Sequence, residues 1–272
     1  MLPYSAPPSS ANFSPLLEPA VVSDAPPGLS LENTCFKSKA QKLEAFPVET
    51  SPDSPVDVSN QIWEDLSPWA WRNSIYTPEA AFNCMGQLFH DEAGLFESLT
   101  FADGPENTTI IEVGCGTAEL FGVLAKRATY KALVGVEISH NMVKCAYEIH
   151  PHLKAAAANT HVFQGNATEL NGAIKAKGLA AGPNPIVCIL MNTYGILPEH
   201  VRAVALRQMW DAVGEGGTLV LGCWNKEEMR LGCQNYYMKN PDMCGKCSEA
   251  DFDFDAGFFD NKRTGYTSQW CV

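Results

Sequence analysis

The chain has 272 residues, 46% of them hydrophobic, which is enough to bury a substantial core in one large domain or two small ones. A formal charge of −12 and no basic block of five or more residues argue against a protein that grips a phosphate backbone, so no nucleic-acid partner is expected. No apolar run approaches the roughly 18 residues of a membrane span, so no membrane partner is expected either. The ten cysteines are scattered, most of them in apolar runs (Cys115, Cys145, Cys188, Cys223), which favours free thiols in a reducing cytoplasm.

Residues 1–58 hold ten of the eighteen prolines together with Ser and Ala and show no sustained period, the composition of a disordered leader. Its first positive side chain is Lys37, so it lacks the charged start of a secretory signal and the Arg-rich character of a transit peptide. From Ile62 the texture changes to an aromatic-rich block that runs through Trp63, Trp69 and Trp71 to Arg72, and a folded domain is expected over 59–272, with 59–104 as a helical lid. Short apolar strands then alternate with amphipathic stretches. Strands are predicted over 109–113, 132–137, 161–164, 185–191 and 218–223. Leu120, Val123, Leu124 and Arg127 make one helix face, and Val201, Val204, Ala205, Met209 and Trp210 another, which Gly214, Gly216 and Gly217 end. Asp251 to Phe259 alternates acidic and aromatic residues before a turn at 261–265, which predicts a closing antiparallel hairpin. The fold class is therefore α/β, a Rossmann-like doubly wound and mostly parallel seven-stranded sheet with an antiparallel C-terminal hairpin.

The first strand ends in Glu112-Val113-Gly114-Cys115-Gly116-Thr117-Ala118 and runs into a helix, a turn in which glycines let the backbone approach a ligand closely. A dinucleotide-binding turn would place a third glycine where Glu119 stands, and a carboxylate there repels a pyrophosphate. Glu112 adds a second negative charge at the mouth of the turn, which suits a ligand carrying an ammonium and a sulfonium. Glu137, 23 residues after Gly114, ends the second predicted strand, where a carboxylate can accept both hydroxyl protons of a ribose. Gln164-Gly165-Asn166-Ala167-Thr168 and Met191-Asn192-Thr193-Tyr194-Gly195 follow the third and fourth strands, so all four features gather on the carboxyl edge of an open α/β sheet.

On these residues, together with Val134-Gly135-Val136-Glu137-Ile138-Ser139 and Gly216-Gly217-Thr218-Leu219-Val220, the chain resembles the class I S-adenosylmethionine-dependent methyltransferases over roughly 105–225. The resemblance implies S-adenosyl-L-methionine as cofactor. It also implies that Glu112, Gly114, Cys115 and Gly116 line its methionine part, Glu137 and Ile138 its ribose side, and Asn166 and Ala167 its adenine. The family's third glycine is Ala118 here and its usual adenine-side aspartate is Asn166, whose amide oxygen can still accept a hydrogen bond. Arg72 falls in a segment where the family often places a lid helix, as a partner for the methionine carboxylate or as a stem packed on tryptophans.

Methyl transfer demands alignment, water exclusion and electrostatic preorganisation. The catalytic and substrate-contacting candidates are Asn192, which also faces the cofactor, Tyr194 and His200, with Trp224 and Asn225 after the fifth strand. A small-molecule acceptor, methylated at N, S or O, is expected. Cys244-Gly245-Lys246-Cys247 lacks a second pair of ligands at a standard spacing, so no metal is expected. Two other readings stay open on the sequence: a nicotinamide-dependent oxidoreductase, and a non-catalytic protein that uses the fold to sense a cofactor.

Overall fold

A computed structural model describes residues 58–76, 85–100, 102–156 and 158–271. The leader expected over 1–58 lies outside the described residues but for its last position. Three helices come first, α1 (Val58–Asp65), α2 (Pro68–Tyr76) and α3 (Met85–Thr100). The alternating core follows as β1 (Thr109–Val113), α4 (Glu119–Arg127), β2 (Ala132–Glu137), α5 (His140–Ile149), α6 (Pro151–Ala155), β3 (Thr160–Gln164) and α7 (Leu170–Ala176). It continues with β4 (Ile186–Ile189), α8 (Thr193–Ile196), α9 (Glu199–Val213) and β5 (Thr218–Leu221). Two short helices, α10 (Met229–Asn235) and α11 (Pro241–Cys244), then lead to β6 (Phe252–Asp253), β7 (Phe258–Asn261) and β8 (Tyr266–Gln269).

The first five strands are all parallel, in the order β3-β2-β1-β4-β5. Period-2 alternation divides them between two cores. Ile110, Leu133, Ile186 and Cys188 face Phe96 of α3 and Leu120, Phe121 and Leu124 of α4. Ile111, Val134, Val136, Val187 and Ile189 face Leu170 and Ile174 of α7 and Met209 of α9. Burial on both faces is why these strands read as unbroken apolar runs rather than alternating ones. On α9 the buried stripe is Ala205, Met209, Ala212 and Val213, whereas Trp210, expected on the inner face, is 37% exposed.

The expected count of seven strands in one sheet is not what the described residues form. The C-terminal strands make a separate three-stranded antiparallel sheet, β6-β7-β8. Its buried face carries Phe252, Phe259 and Tyr266 onto Tyr237, with ring centroids 4.3 Å apart for Phe252–Phe259 and 4.7 Å for Tyr237–Phe259. An aromatic core of its own gives this sheet a partner other than the edge strand β5. The two sheets are tied by side chains, chiefly Asn192, and by one parallel bridge between Asn225 and Cys271.

Candidate active site

Strand order reverses between β1 and β4, and in an open parallel sheet such a switch leaves a crevice beyond the carboxyl ends of the strands. A cleft occupies that position. Its floor comes from the ends of β1 (Glu112 to Gly116), β2 (Val136 to Ile138), the segment after β3 (Gly165 to Ala167) and the end of β4 (Ile189 to Met191). Trp63, Trp71 and Phe89 of the first three helices close over it, with Thr193 and the Ile196 to Pro198 segment opposite.

The glycine turn is built by backbone conformations that side chains disfavour. Gly114 and Gly116 have φ of 68° and 53°, and a Cβ on Gly114 would collide with the Thr193 methyl group. Ala118, at the family's third glycine, adopts the same left-handed conformation with φ 59°, at a cost of roughly 1 kcal/mol for a residue with a Cβ. It is fully buried against the α4 core, which holds it there.

Among the described residues, three carboxylates line the cleft and no Lys, Arg or His does. Their environments differ. Glu137 Oε2 accepts from the Gly116 N–H at 2.8 Å and Oε1 from the Ser139 N–H at 3.0 Å, so this carboxylate locks the end of β2 to the glycine turn. Burial raises its pKa, and the hydrogen bonds from the Ser139, Gly116 and Ile138 amides pull it part of the way back. Glu112 is 4% exposed, and its Oε2 is buried without a hydrogen-bond partner in the protein. Burial, then the charges of Glu92, Glu137 and Glu119, push its carboxyl well above the usual range. An orphaned carboxylate oxygen on the floor of a cleft suits a ligand that brings a positive charge or a donor.

Glu119 departs from its sequence reading. Its Oε1 accepts from Arg72 Nε at 3.3 Å and from Thr117 Oγ1 at 3.0 Å, and His150 Nε2 stands 3.3 Å from its other oxygen. Its charge is largely answered inside the protein, so repulsion of a pyrophosphate rests on Glu112 and Glu137. Arg72 is engaged in the same contact and is not part of the cleft wall; its neighbour Trp71 is.

Of the residues singled out from sequence, the structure brings Glu112, Gly114, Cys115, Gly116, Glu137, Ile138, Asn166 and Ala167 to one cleft. Asn166 Oδ1 accepts from the Thr168 N–H at 3.0 Å, which leaves one lone pair for another donor. Asn192 is not among them. It is 1% exposed, its amide donates to Ser268 Oγ at 3.0 Å and to the Gln269 carbonyl at 3.1 Å, and its oxygen accepts from the Trp224 N–H at 3.2 Å. Those bonds make it a clasp between the two sheets. Tyr194 packs on the α7 and α9 side of the sheet, and His200 is exposed in the first turn of α9; neither lines the cleft. Phe89 and Met142, which do line it, went unrecognised because they are single apolar residues on helices far away in the chain.

The family model described as a methyltransferase domain matches residues 110–217, from β1 to the glycine pair before β5. No curated protein matches the chain significantly. Among solved structures, it is similar to an amino pentose methyltransferase of calicheamicin biosynthesis from Micromonospora echinaspora, with 22% identity, 51% of this chain and 52% of that one covered, and a TM-score of 0.38. It is also similar to a magnesium protoporphyrin IX methyltransferase from Synechocystis PCC 6803, with 16% identity, 78% and 95% covered, and a TM-score of 0.46. The chain spans about half the length of the first solved structures it matches. Strands β2 to β4, β1 but for Thr109, and the glycine turn lie within the matched residues, so the similarity to a methyltransferase domain covers the parallel core that carries the cleft. The match covers 110–217 of the 272 residues.

Proposed function

We infer that the protein is a class I S-adenosylmethionine-dependent methyltransferase that acts on a small molecule at N, S or O. The observation that carries this reading is the pair of strand-end carboxylates, Glu112 and Glu137, flanking the Gly114–Gly116 turn in a cleft with no basic residue among its described lining. The cofactor supplies an electrophilic methyl group on a sulfonium. This chain's part is binding, alignment and exclusion of water. Glu137 retains free lone pairs for two ribose hydroxyls while the Gly116 and Ser139 amides hold it in place. Glu112 Oε2 receives the ammonium, the backbone of Gly114 to Gly116 lies against the methionine chain, and Asn166 and Ala167 meet the adenine. Arg72 acts through Glu119, tying α2 and its Trp71 over the cleft. The small-molecule acceptor is favoured by the acidic chain, and a reducing cytoplasm by its eight described free cysteines.

Calorimetric titration with S-adenosylmethionine and its demethylated product tests this. Binding in the micromolar range, lost in Glu137→Ala, is expected. Absence of binding by well-folded protein, or preferential binding of a nicotinamide dinucleotide, would overturn it.

A further inference from the structure

A second cavity opens beside the cofactor cleft and shares Met191 with it. It lies between α3, the loop after β5 and the start of α10, where Glu92, Trp224, Glu228, Leu231 and Trp270 form much of its wall. None of the described residues lining it is basic. The two carboxylates are unlike. Glu228 is exposed, whereas Glu92 Oε2 is shut off from solvent and has no hydrogen-bond partner in the protein. Such an oxygen bears a desolvation cost that a cationic or hydrogen-donating ligand removes, and a carboxylate ligand would be repelled there.

Two further features narrow the ligand. The Trp224 indole is held against Trp270, with centroids 5.3 Å apart, and offers a rigid apolar and π surface, while Leu231 at 47% exposure leaves an apolar patch at the wall. Among neighbouring charges, Glu92 has the largest effect on Glu112, so its carboxylate acts at the floor of the cofactor cleft as well as in its own cavity. Burial brings the Glu92 carboxyl to about 7, suited to accepting a proton near neutral pH.

We propose that this cavity is the methyl-acceptor site, that it takes a hydrophobic amine, and that the Glu92 carboxylate receives the proton the amine must lose. An ammonium has no lone pair. On entry it gives a proton to Glu92; the freed nitrogen pair forms the new N–C bond as the methyl's bond to sulfur breaks, that pair staying on sulfur, and Glu92 then passes its proton to solvent. The transfer step rests on the methyltransferase reading; the binding preference rests on the cavity alone.

The test is calorimetric titration of the full chain, with and without S-adenosylhomocysteine, using 2-phenylethylamine and its neutral analogue 2-phenylethanol near pH 8. The amine is expected to bind at least about tenfold more tightly than the alcohol, the worth of one charge-assisted contact. Glu92→Gln, nearly isosteric, is expected to erase that preference while the variant still binds S-adenosylhomocysteine, and Trp224→Ala to weaken both probes. Equal binding of the two probes, no binding of the amine, or a preference that survives Glu92→Gln would overturn the proposal. Failure of S-adenosylhomocysteine to bind the wild type would count against the methyltransferase reading instead, and the amine preference would still be measured in its absence. Should Trp224→Ala fail to fold, the Glu92→Gln comparison decides.

Discussion

The carboxyl edge of the sheet carries two cavities made in different ways. The cofactor cleft is assembled mostly from strand ends and the turns that follow them, with its carboxylates seated on backbone: Glu137 holds two amide N–H groups, and the turn it braces comes 21 residues earlier. The neighbouring cavity takes Met191 and Asn192 from the segment after β4 but adds α3, the loop after β5, α10 and the residue after β8, with Glu92 and Trp270 separated by most of the domain. A site built on consecutive strand ends inherits its geometry from the sheet, whereas one built on outlying elements exists only after those elements have packed. The first kind is rigid by construction; the second depends on the aromatic core beneath the small sheet.

The largest effect that bears on this contrast is expected at Trp270, which is 3% exposed, packs over Gly232 and touches Trp224 and Tyr237. Trp270→Ala should cost about 3–5 kcal/mol of stability, seen as a lowered midpoint in urea. If the contrast holds, the folded fraction of the variant retains cofactor affinity within about twofold, since no cofactor contact is removed; a loss of cofactor binding in folded protein would show that the cavities are one unit.

Glu92 comes next. Its folded pKa of about 7 lies above the ordinary 4.5, so the native state binds the extra proton, and its contribution to stability is present below about pH 4.5 and lost as pH rises through 7. A shift of that size corresponds to on the order of 3 kcal/mol. Glu112, raised by burial, acts in the same direction. Glu92→Gln should therefore raise Tm at pH 8 and leave it little changed at pH 5, with a shallower decline between them; parallel profiles for the two proteins would refute the assignment.

Glu137→Ala should weaken S-adenosylmethionine binding by about 100-fold, near 2.7 kcal/mol, through loss of charge-assisted hydrogen bonds to the ribose and loosening of the glycine turn. Glu137→Gln, which keeps acceptor oxygen but not charge, should fall between it and the wild type. The smallest change is expected at His200. Exposed and outside both cavities, it should tolerate Ala within about 0.5 kcal/mol of stability and with unchanged turnover of an accepted amine. A large loss of turnover would return it to the active site.

The parallel core was legible because each of its signals is local. A strand buried on both faces is a short apolar run, and the residue that ends it is the residue that faces the ligand, so Glu112, Glu137 and the Gly114–Gly116 turn could be read from spacing alone. Predicted bounds for β1 and β2 coincide with the observed ones. Asn192 shows where that logic stops. It sits just past β4 and lines the second cavity instead of the cofactor cleft, while its amide donates to Ser268 and Gln269 and its oxygen accepts from the Trp224 N–H. Those partners lie up to 77 residues away, and nothing in the local pattern announces them. Glu119 illustrates the same point for charge: its sign is plain in the sequence, but its pairing with Arg72 is a product of packing.

By itself, then, the sequence determined the alternating α/β order, the glycine turn and the strand-end carboxylates, since backbone conformation and two-residue periodicity depend on near neighbours. Tertiary structure alone decided that the C-terminal strands form a sheet of their own, that Asn192 is a clasp, and that Glu92 lies buried beside Trp224 in a second cavity. Those outcomes depend on which distant side chains exclude water from one another, and such partners are chosen only when the whole domain closes.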